Sequence, residues 1–291
     1  MLWRNVFLLL TLALLWGPSF LFIKVAVKEI GPFTIAMARV LLAGMLLLIL
    51  LLMQKERLPG RGRVWFDLLI MSVLTHVFPF VAIGFGELYI DSAVAAILNG
   101  TTPIFTLVLA HFSGERINTS KLLGVLLGFG GIIVLVLPDM LGGMKASLAG
   151  IGAVMAAAIS YGCAIIFSRR RLLGLPRLVA PTYQLLFAAV FLVPLGFIFE
   201  SPTEALFEAS KGALYSVLAL SLFGTALAFV IYYRLAETAE STFISLVTFL
   251  MPIVGVILGV MVLKENLSIY TYAGFGLILA AIGLVREKKS A

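Results

Sequence analysis

Long apolar runs alternate with short polar segments along the whole chain. Each run has about the 20 residues that a helix needs to cross a bilayer. We predict ten spans, at residues 6–26, 33–53, 66–86, 92–112, 120–138, 147–168, 178–199, 212–233, 241–263 and 267–285. Lipid offers no hydrogen-bond partners, so a spanning segment has to pair its own backbone groups, which favours helices. The pattern therefore predicts an all-α integral membrane protein with ten transmembrane helices.

The composition supports a chain that is solvated by lipid. Hydrophobic residues make up 62% of the 291 residues, charged residues only 12%, and the mean hydropathy is +1.14. A soluble domain is about half apolar and about a quarter charged. A soluble core of this composition would have too little polar surface to cover it.

The distribution of basic residues predicts the orientation. With the N-terminus in the cytoplasm, 15 of the 21 Lys and Arg residues fall on the cytoplasmic side, 5 fall on the other side, and Arg39 lies within a span. Cytoplasmic loops carry the excess of positive charge in membrane proteins. Both termini are therefore predicted to be cytoplasmic. The net charge of +7 is then explained by anionic lipid on the inner leaflet rather than by a nucleic-acid partner.

The two parts of the chain share a pattern of proline, glutamate and glycine. Three pairs of residues recur: Pro103 and Pro252, Glu115 and Glu265, and Gly124 and Gly274. The prolines are 149 positions apart and the other two pairs are 150 positions apart. In each half, these residues are predicted to lie in a proline-containing span, a short loop with a glutamate and a following span with a glycine. We interpret this pattern as an internal repeat.

The repeat divides the chain into residues 1–140 and 145–291, each with five predicted spans. Because five is odd, the second repeat enters the membrane inverted relative to the first. Inverted repeats with interrupted helices are typical of secondary transporters. Pro103 and Pro252 are predicted to act as hinges beside a central site. The alternative is that both prolines only fix static kinks.

The chain resembles the drug/metabolite transporter superfamily, in its EamA-type branch. Four segments carry the resemblance: ALLWGPSFLFIKVAV (13–27), ARVLLAGMLLL (38–48), TPIFTLVLAHFSGERINTSKLLGVLLGFGGIIVLV (102–136) and GTALAFVIYYRLAETAESTFISLVTFLMPIVGVILGVMVLKENLSIYTYAGFGLILAAIGL (224–284). The chain departs from the family at SGE (113–115) and KE (264–265), where an apolar residue before Gly-Glu and Gly-Glu itself are usual.

The resemblance implies ten helices with cytoplasmic termini in the bacterial cytoplasmic (inner) membrane. It implies export of amino acids or other small metabolites. It also implies a central cavity lined by the first, third and fourth helices of each half, with the second and fifth helices outside.

Polar and aromatic residues within the spans are the candidates for a substrate cavity, because polar groups at this depth need a protein or water partner. The candidates are Trp16, Phe20 and Lys24; Ser72, His76 and Phe80; Asn99 and Thr102; Ser160 and Tyr161; Thr225 and Phe229; and Thr248. For each hydroxyl residue the alternative is a hydrogen bond that joins two helices.

Three of the ionisable residues carry specific expectations. His76 is placed to bind a carboxylate or to carry a coupling proton, or else it is a neutral histidine bonded to a neighbouring helix. Lys24 either lines the cavity or extends to the interface. Arg39 lies deeper and is expected to pair with an acid. No acidic residue falls in the middle of a predicted span.

Motifs of enzymes are not found in the sequence. There is no HExxH, GxSxG, Walker A loop or Cys/His cluster, so we expect neither catalysis, nor a cofactor, nor a metal site. The sequence favours a monomeric secondary exporter of small metabolites, with amino acids first, that contacts only its substrate and lipid. Two alternatives stay open: a multidrug exporter of lipophilic cations, and a non-transporting scaffold or lipid-binding protein.

Overall fold

The computed structural model describes residues 2–55, 59–60, 62–115, 117–141, 147–254 and 269–285. Every regular element in these ranges is a helix. The first half holds α1 (Leu2–Trp16), α2 (Ser19–Ala26), α3 (Pro32–Gln54), α4 (Arg63–Ser72), α5 (Phe78–Tyr89), α6 (Ser92–Asn99), α7 (Thr102–Phe112) and α8 (Thr119–Leu141).

The second half repeats much of this order. It holds α9 (Leu148–Arg171), α10 (Val179–Phe199), α11 (Pro202–Glu208), α12 (Lys211–Ser221), α13 (Ala228–Ala236), α14 (Ser241–Ser245), α15 (247–254) and α16 (Ile269–Val285). The end of the predicted ninth span, residues 255–263, and Glu265 lie outside the described residues.

Seven helices of the described chain are long and apolar enough to cross a membrane. Three shorter apolar helices, Thr119–Val134, Ser241–Val254 and Tyr272–Val285, lie where the fifth, ninth and tenth spans are predicted. The chain is therefore a multi-pass helical membrane protein. The count of ten spans and the inverted arrangement of the halves stay predictions.

The first span bends where it meets the ninth. α1 ends at Trp16 and α2 begins at Ser19, so Gly17 and Pro18 separate them. A Cβ atom at Gly17 would lie 2.5 Å from Cβ of Val254. The close approach of these two spans therefore requires glycine at this position.

A π-helical turn interrupts both the third and the eighth span. The first π segment covers Val73–Val77, between α4 and α5, and the second covers Leu222–Leu227, between α12 and α13. They begin 149 positions apart, the same spacing as the two prolines. Such turns are rare and occur frequently at functional sites. The sequence pattern did not predict them.

The two proline-containing spans break before the proline rather than at it. α6 ends at Asn99, and Pro103 lies in the first turn of α7, where its missing N–H is least costly. The Asn99 carbonyl instead accepts a 2.6 Å hydrogen bond from the Thr102 hydroxyl. In the ninth span the break falls at Leu246, and Pro252 lies inside the next helix, α15. The hinge role of both prolines stays a prediction.

Hydrogen bonds join the two halves at the end of the bundle where α1 begins. Asn5 Nδ2 donates to the Thr238 carbonyl at 3.3 Å, and the Thr238 hydroxyl donates to Asn5 Oδ1 at 2.8 Å. The Ser241 hydroxyl donates to the Glu115 carboxylate at 2.6 Å. Glu115 therefore contacts the first turn of α14, in the other half of the chain.

Two glutamates join the halves at the opposite end. The Glu200 carboxylate accepts from the backbone N–H groups of Phe33 and Thr34 at 3.0 and 2.8 Å, and so binds the start of α3. Glu29 accepts from the backbone N–H and hydroxyl of Ser210 at 2.7 and 2.8 Å, just before α12. A carboxylate is favourable at a helix N-terminus, so both contacts stabilise this end.

Candidate functional site

A cavity lies in the middle of the bundle, between the two halves. It leaves about 750 Å³ of space not occupied by atoms, part of it open to solvent. Small-molecule sites commonly occupy about 300–1,000 Å³. Its wall comes from the first, third, fourth, sixth, eighth and ninth spans, as the family resemblance implied, and from one residue of the second span, Arg39. The expectation that the second helix lies wholly outside the cavity is therefore wrong.

The structure places eight of the candidate residues in the cavity wall. They are Trp16, Phe20, Phe80, Asn99, Thr102, Tyr161, Phe229 and Thr248. Several lie at equivalent spacing in the two halves. Trp16 and Tyr161 are 145 positions apart, whereas Phe80 and Phe229 are 149 positions apart. Each half of the chain therefore contributes one member of each of these two pairs to the wall.

Arg39 is a buried cation in this wall. Its guanidinium carbon lies 3.8 Å from the centroid of the Phe80 ring, and its Nε and Nη2 donate to the Thr225 hydroxyl at 3.3 and 3.2 Å. No acid in the described part of the chain forms an ion pair with it. The expected acidic partner is therefore not found there. An uncompensated buried charge is costly, which is why such residues mark functional sites in membranes.

Three further polar atoms of the wall have no hydrogen-bond partner among the described residues. They are Asn99 Oδ1, Ser19 Oγ and Thr75 Oγ1, and all three side chains are buried. Asn99 Nδ2 lies 3.9 Å from the Met251 sulfur, which is a weak acceptor. The side chains that line the cavity therefore include one cation, and they include one amide oxygen and two hydroxyls that accept or donate no hydrogen bond among the described residues.

Aromatic rings form much of the remaining wall. Trp16 contacts Phe229 edge-on, with 5.6 Å between ring centroids, and lies 6.3 Å from Tyr232. The Trp16 indole N–H donates to the Gly224 carbonyl at 3.0 Å, within the second π segment. This bond fixes the ring across the boundary between the two halves. The aromatic faces offer a surface to apolar groups and to cations.

His76 lies behind the wall rather than in it. Its ring is fully buried in the first π segment, 5.2 Å from the Phe80 ring and 4.5 Å from the Phe229 ring, centroid to centroid. Neither ring nitrogen has a hydrogen-bond partner among the described residues, so the alternative of a histidine bonded to a neighbouring helix is not seen there. The prediction that His76 lines the wall is wrong, because His76 is not among the wall residues and its ring packs against the rings of Phe80 and Phe229.

Thr225 is also placed behind the wall. It accepts from Arg39 and donates to the Leu220 carbonyl at 2.7 Å, so it connects the cation to the second π segment. Ser72 and Ser160 are likewise absent from the wall. The Ser160 hydroxyl donates to the Leu74 carbonyl of the first π segment at 2.8 Å, which is the alternative of a bond between two helices. The Ser72 hydroxyl donates to the Leu69 carbonyl of its own helix at 2.7 Å, which is neither of the two expectations.

Lys24 is absent from the cavity wall and binds the end of α5. Its Nζ donates to the Glu87 and Ile90 carbonyls at 2.6 and 2.8 Å. These are among the last carbonyls of α5, which lack partners within the helix. Lys24 therefore caps α5, and its extension to the membrane interface stays a prediction.

Glu87 is an ionisable residue of the spans that the sequence pattern did not reveal. The predicted third span ended at residue 86, but α5 continues to Tyr89 and Glu87 is fully buried. Neither carboxylate oxygen has a hydrogen-bond partner in the described part of the chain. The available signal was helical spacing, since Phe80, Ile83 and Glu87 lie on one face of a helix.

Comparison with known proteins assigns the chain to a family. The model of the EamA-like transporter family matches the chain twice, over residues 3–137 and 148–286. The chain belongs to the EamA-like transporter family. Both matches fall within the two segments that the repeat pattern delimits, and together they cover nearly the whole chain.

Relatives in this family come from bacteria and archaea. The uncharacterized transporter YoaV of Bacillus subtilis is 26% identical over 275 residues, 94% of each chain. An uncharacterized transporter of Archaeoglobus fulgidus is 27% identical, over 94% of this chain and 95% of the relative. The uncharacterized inner membrane transporter YedA of Escherichia coli K12 is 27% identical, over 95% and 89%.

A known crystal structure has the same fold. It aligns with a TM-score of 0.77 and 17% identity, over 96% of this chain and 95% of that one. The family indicates a membrane transporter and no catalytic function. Among the described residues, no group of three His, Cys, Asp or Glu side chains is arranged to hold a metal ion.

Proposed function

We propose that this protein is a secondary transporter that exports small metabolites, amino acids foremost, across the bacterial cytoplasmic membrane. Transport proceeds by alternating access through the central cavity between the two repeats. The observation that carries the proposal is Arg39, a buried cation in the cavity wall without an acidic partner in the described chain. Such a group favours a substrate with a carboxylate.

The guanidinium of Arg39 suits a carboxylate in geometry as well as charge. It carries five N–H donors in a planar fork, of which Nε and Nη2 are directed to Thr225. Arg and carboxylate form short, frequently bidentate hydrogen bonds. The Phe80 ring supports one face of the guanidinium and holds it in place. A substrate carboxylate in the cavity supplies the missing counter-charge.

The rest of the wall suits the ammonium and side chain of an amino acid. Asn99 Oδ1 and the hydroxyls of Ser19 and Thr75 are acceptors without partners in the described chain. The rings of Trp16 and Phe229 offer surface to an apolar side chain. One cation and several neutral acceptors match a zwitterion better than a phosphorylated metabolite, which needs several buried cations.

The arrangement of the two halves supports alternating access. Wall residues recur at matched spacing, and the two π segments and the two hinge prolines, Pro103 and Pro252, are each 149 positions apart. Hydrogen bonds join the halves at both ends of the bundle, for example Glu115 with Ser241 and Glu200 with Thr34. If the hydrogen bonds at one end of the bundle break while those at the other end remain, the cavity opens at the end where they have broken.

Export of lipophilic cations is the second candidate. The aromatic wall of Trp16, Phe229 and Tyr232 favours it, because aromatic faces attract cations. The buried charge of Arg39 opposes it, because like charges repel at close range. The substrate test therefore includes both classes.

Counterflow in proteoliposomes tests the proposal. Purified protein is reconstituted into vesicles that are preloaded with pools of unlabelled amino acids, and uptake of labelled members of the same pool is followed over time. We expect uptake above that of protein-free vesicles for at least one pool. If the vesicles exchange lipophilic cations but no amino acid, the result would support multidrug export instead of amino-acid export. Folded protein that exchanges neither class would contradict transport of both.

A further inference from the structure

We propose that Glu87 is the proton-binding site of this transporter, a carboxyl group that gains and loses one proton in each transport cycle. The inference rests on the proposed function, because it assigns the coupling ion of the same carrier. It does not depend on which small metabolite is carried. The sequence had left coupling open and had offered His76 as the candidate.

The first argument is the environment of the carboxyl group. Glu87 is fully buried within a transmembrane helix, and both of its oxygens lack a hydrogen-bond partner among the described residues. An isolated carboxylate is expensive to bury, whereas a neutral carboxyl group costs far less. The closed environment in the structure therefore suits the protonated form. Ionisable residues inside membrane bundles commonly take part in proton relays.

The second argument is the position of Glu87 relative to the cavity. Phe80 and Ile83 line the cavity, and Glu87 follows Ile83 by four residues on the same face of α5. At about 1.5 Å per residue, Glu87 lies about 6 Å along the helix beyond the wall. Glu87 therefore lies about one helical turn from a wall residue and outside the wall itself.

The third argument concerns the charged groups around Glu87. Among the elements packed against α5, α2 contributes Lys24, α3 contributes Arg39 and α9 contributes Tyr161. Lys24 Nζ donates to the backbone carbonyl of Glu87 at 2.6 Å, and Arg39 lies on α3, which packs against α5. Neither cation forms an ion pair with Glu87.

Two more titratable groups complete the surroundings. The π segment before α5 contributes His76, and the turn after α5 carries Asp91, which has an interaction of its own. Within α6, residues 92–99, there is no charged side chain. Glu87 is therefore an acid on a helix that packs against the helices of two cations, and among the described residues it forms an ion pair with neither.

The shared cation links the proton to the substrate. Arg39 lies on α3, which packs against the helix of Glu87, and it is also the proposed partner of the substrate carboxylate. Two anions that depend on one cation influence each other's binding, and the influence is reciprocal. Occupancy of the substrate site therefore changes how firmly the proton is held, which is what coupled transport requires.

The proton step itself is simple. When the cavity opens to one side, a carboxylate oxygen of Glu87 takes a proton from water and an O–H bond forms. When the cavity opens to the other side, that bond breaks and the proton returns to water. No electrons are transferred and no further reactant is needed. His76 is less suited to this step, because the rings of Phe80 and Phe229 separate it from the cavity.

The test compares gradient-driven uptake with counterflow. Proteoliposomes are prepared with an amino-acid pool that supports counterflow, and the membrane potential is clamped at zero with potassium and valinomycin. Uptake is measured with a pH gradient of one unit in either direction and without a gradient. An exchange or cotransport of one proton per substrate supports about tenfold accumulation per pH unit. The coupling ratio is the uptake with the favourable gradient divided by the uptake without it.

Three variants distinguish the outcomes. We expect Glu87→Gln, which cannot titrate, to have a coupling ratio of one, and Glu87→Asp to keep a ratio above one. Glu204→Gln removes an exposed carboxyl group from α11 and is expected to keep the wild-type ratio. A wild-type ratio of one alongside robust counterflow would overturn the assignment of a proton while leaving transport intact. A coupling ratio in Glu87→Gln that equals the ratio of the wild-type protein would overturn the assignment of the proton site to Glu87.

A chemical measurement decides the case in which Glu87→Gln exchanges nothing at all. Dicyclohexylcarbodiimide reacts with protonated carboxyl groups in apolar surroundings, and the modified residue is found by mass spectrometry of the labelled wild-type protein. We expect modification at Glu87 that increases as the pH falls and that lowers gradient-driven uptake in parallel. Glu87 left unmodified at every pH would overturn the proposal.

Discussion

Both halves of the chain contribute aromatic rings to the cavity wall, but only the first half contributes a charged side chain to it. Phe80 and Phe229, 149 positions apart, both line the wall. The one charged side chain among the described wall residues is Arg39. Gln184 stands 145 positions after Arg39, and a buried alanine, Ala236, stands 149 positions after Glu87. The second half thus replaces the cation with an amide and the acid with a methyl group.

Under the proposed function, this difference separates two tasks. A recurring arrangement of residues allows the halves to exchange conformations, which alternating access requires. A substrate with one carboxylate needs one cation, and a second buried cation would raise the cost of burial without a second counter-charge. The matched geometry therefore serves the conformational cycle, whereas the unmatched charges serve binding. Substitutions at matched and unmatched positions test that division.

The largest effect is expected from removing the charge of the first half. Arg39→Gln gives the first half the neutral amide of the second, and a hydrogen bond to a charged group contributes about 1.5–3 kcal/mol. We therefore expect the half-saturating amino-acid concentration in counterflow to rise about 10- to 100-fold. Arg39→Lys keeps the charge without the planar fork and is expected to fall between wild type and Arg39→Gln. Unchanged affinity in Arg39→Gln would refute the role of this cation.

A smaller effect is expected from the matched aromatic pair. Phe80 stacks against the Arg39 guanidinium, whereas Phe229 contacts Trp16 and His76. A cation–π contact contributes about 0.5–2 kcal/mol. Phe80→Leu is therefore expected to weaken amino-acid binding several-fold more than Phe229→Leu, measured by competition in counterflow. The control is the thermal midpoint of both variants, which should fall by similar amounts. Equal losses of binding would mean that the two halves contribute alike.

The smallest effect is expected at a contact between the halves, outside the membrane. The backbone N–H and the hydroxyl of Ser210 both donate to Glu29 and lower the pKa of its carboxyl group below its ordinary value of 4.5. A lowered pKa in the folded protein means stabilisation that is present above pH 4.5 and is lost as the pH falls through the lowered value.

Glu29→Gln is therefore expected to lower the thermal midpoint slightly at pH 7 and to match wild type in strongly acidic buffer. Glu204→Gln, which removes an exposed acid, is the control. A difference between Glu29→Gln and wild type that grows as the pH falls would contradict the assigned bond.

The positions of seven spans could be predicted from the sequence, because lipid imposes one simple requirement on every helix. Multi-pass membrane character and the family resemblance are confirmed. The resemblance also indicated which spans form the wall. The boundary of the third span was less accurate: an acid such as Glu87 ends an apolar run in the sequence, although in the fold it is covered by neighbouring helices.

The chemistry of the site was predictable only in part, because side-chain direction depends on the π segments. Helical periodicity assumes regular turns, whereas His76 lies within the π segment Val73–Val77, where that spacing does not hold, and its ring packs against Phe80 and Phe229. Arg39 was recognised as deep, but its partner is a hydroxyl from the other half, a contact that no local pattern encodes.

The most direct test of the account asks whether a substrate carboxylate binds Arg39. An amino acid that supports counterflow is compared with its amide, which keeps the ammonium and the side chain but lacks the carboxylate, as competitors in wild type and in Arg39→Gln. The account predicts that the amide competes at least about tenfold less well in wild type and that this preference disappears in the variant. An amide that competes as well as its parent amino acid in wild type would contradict it.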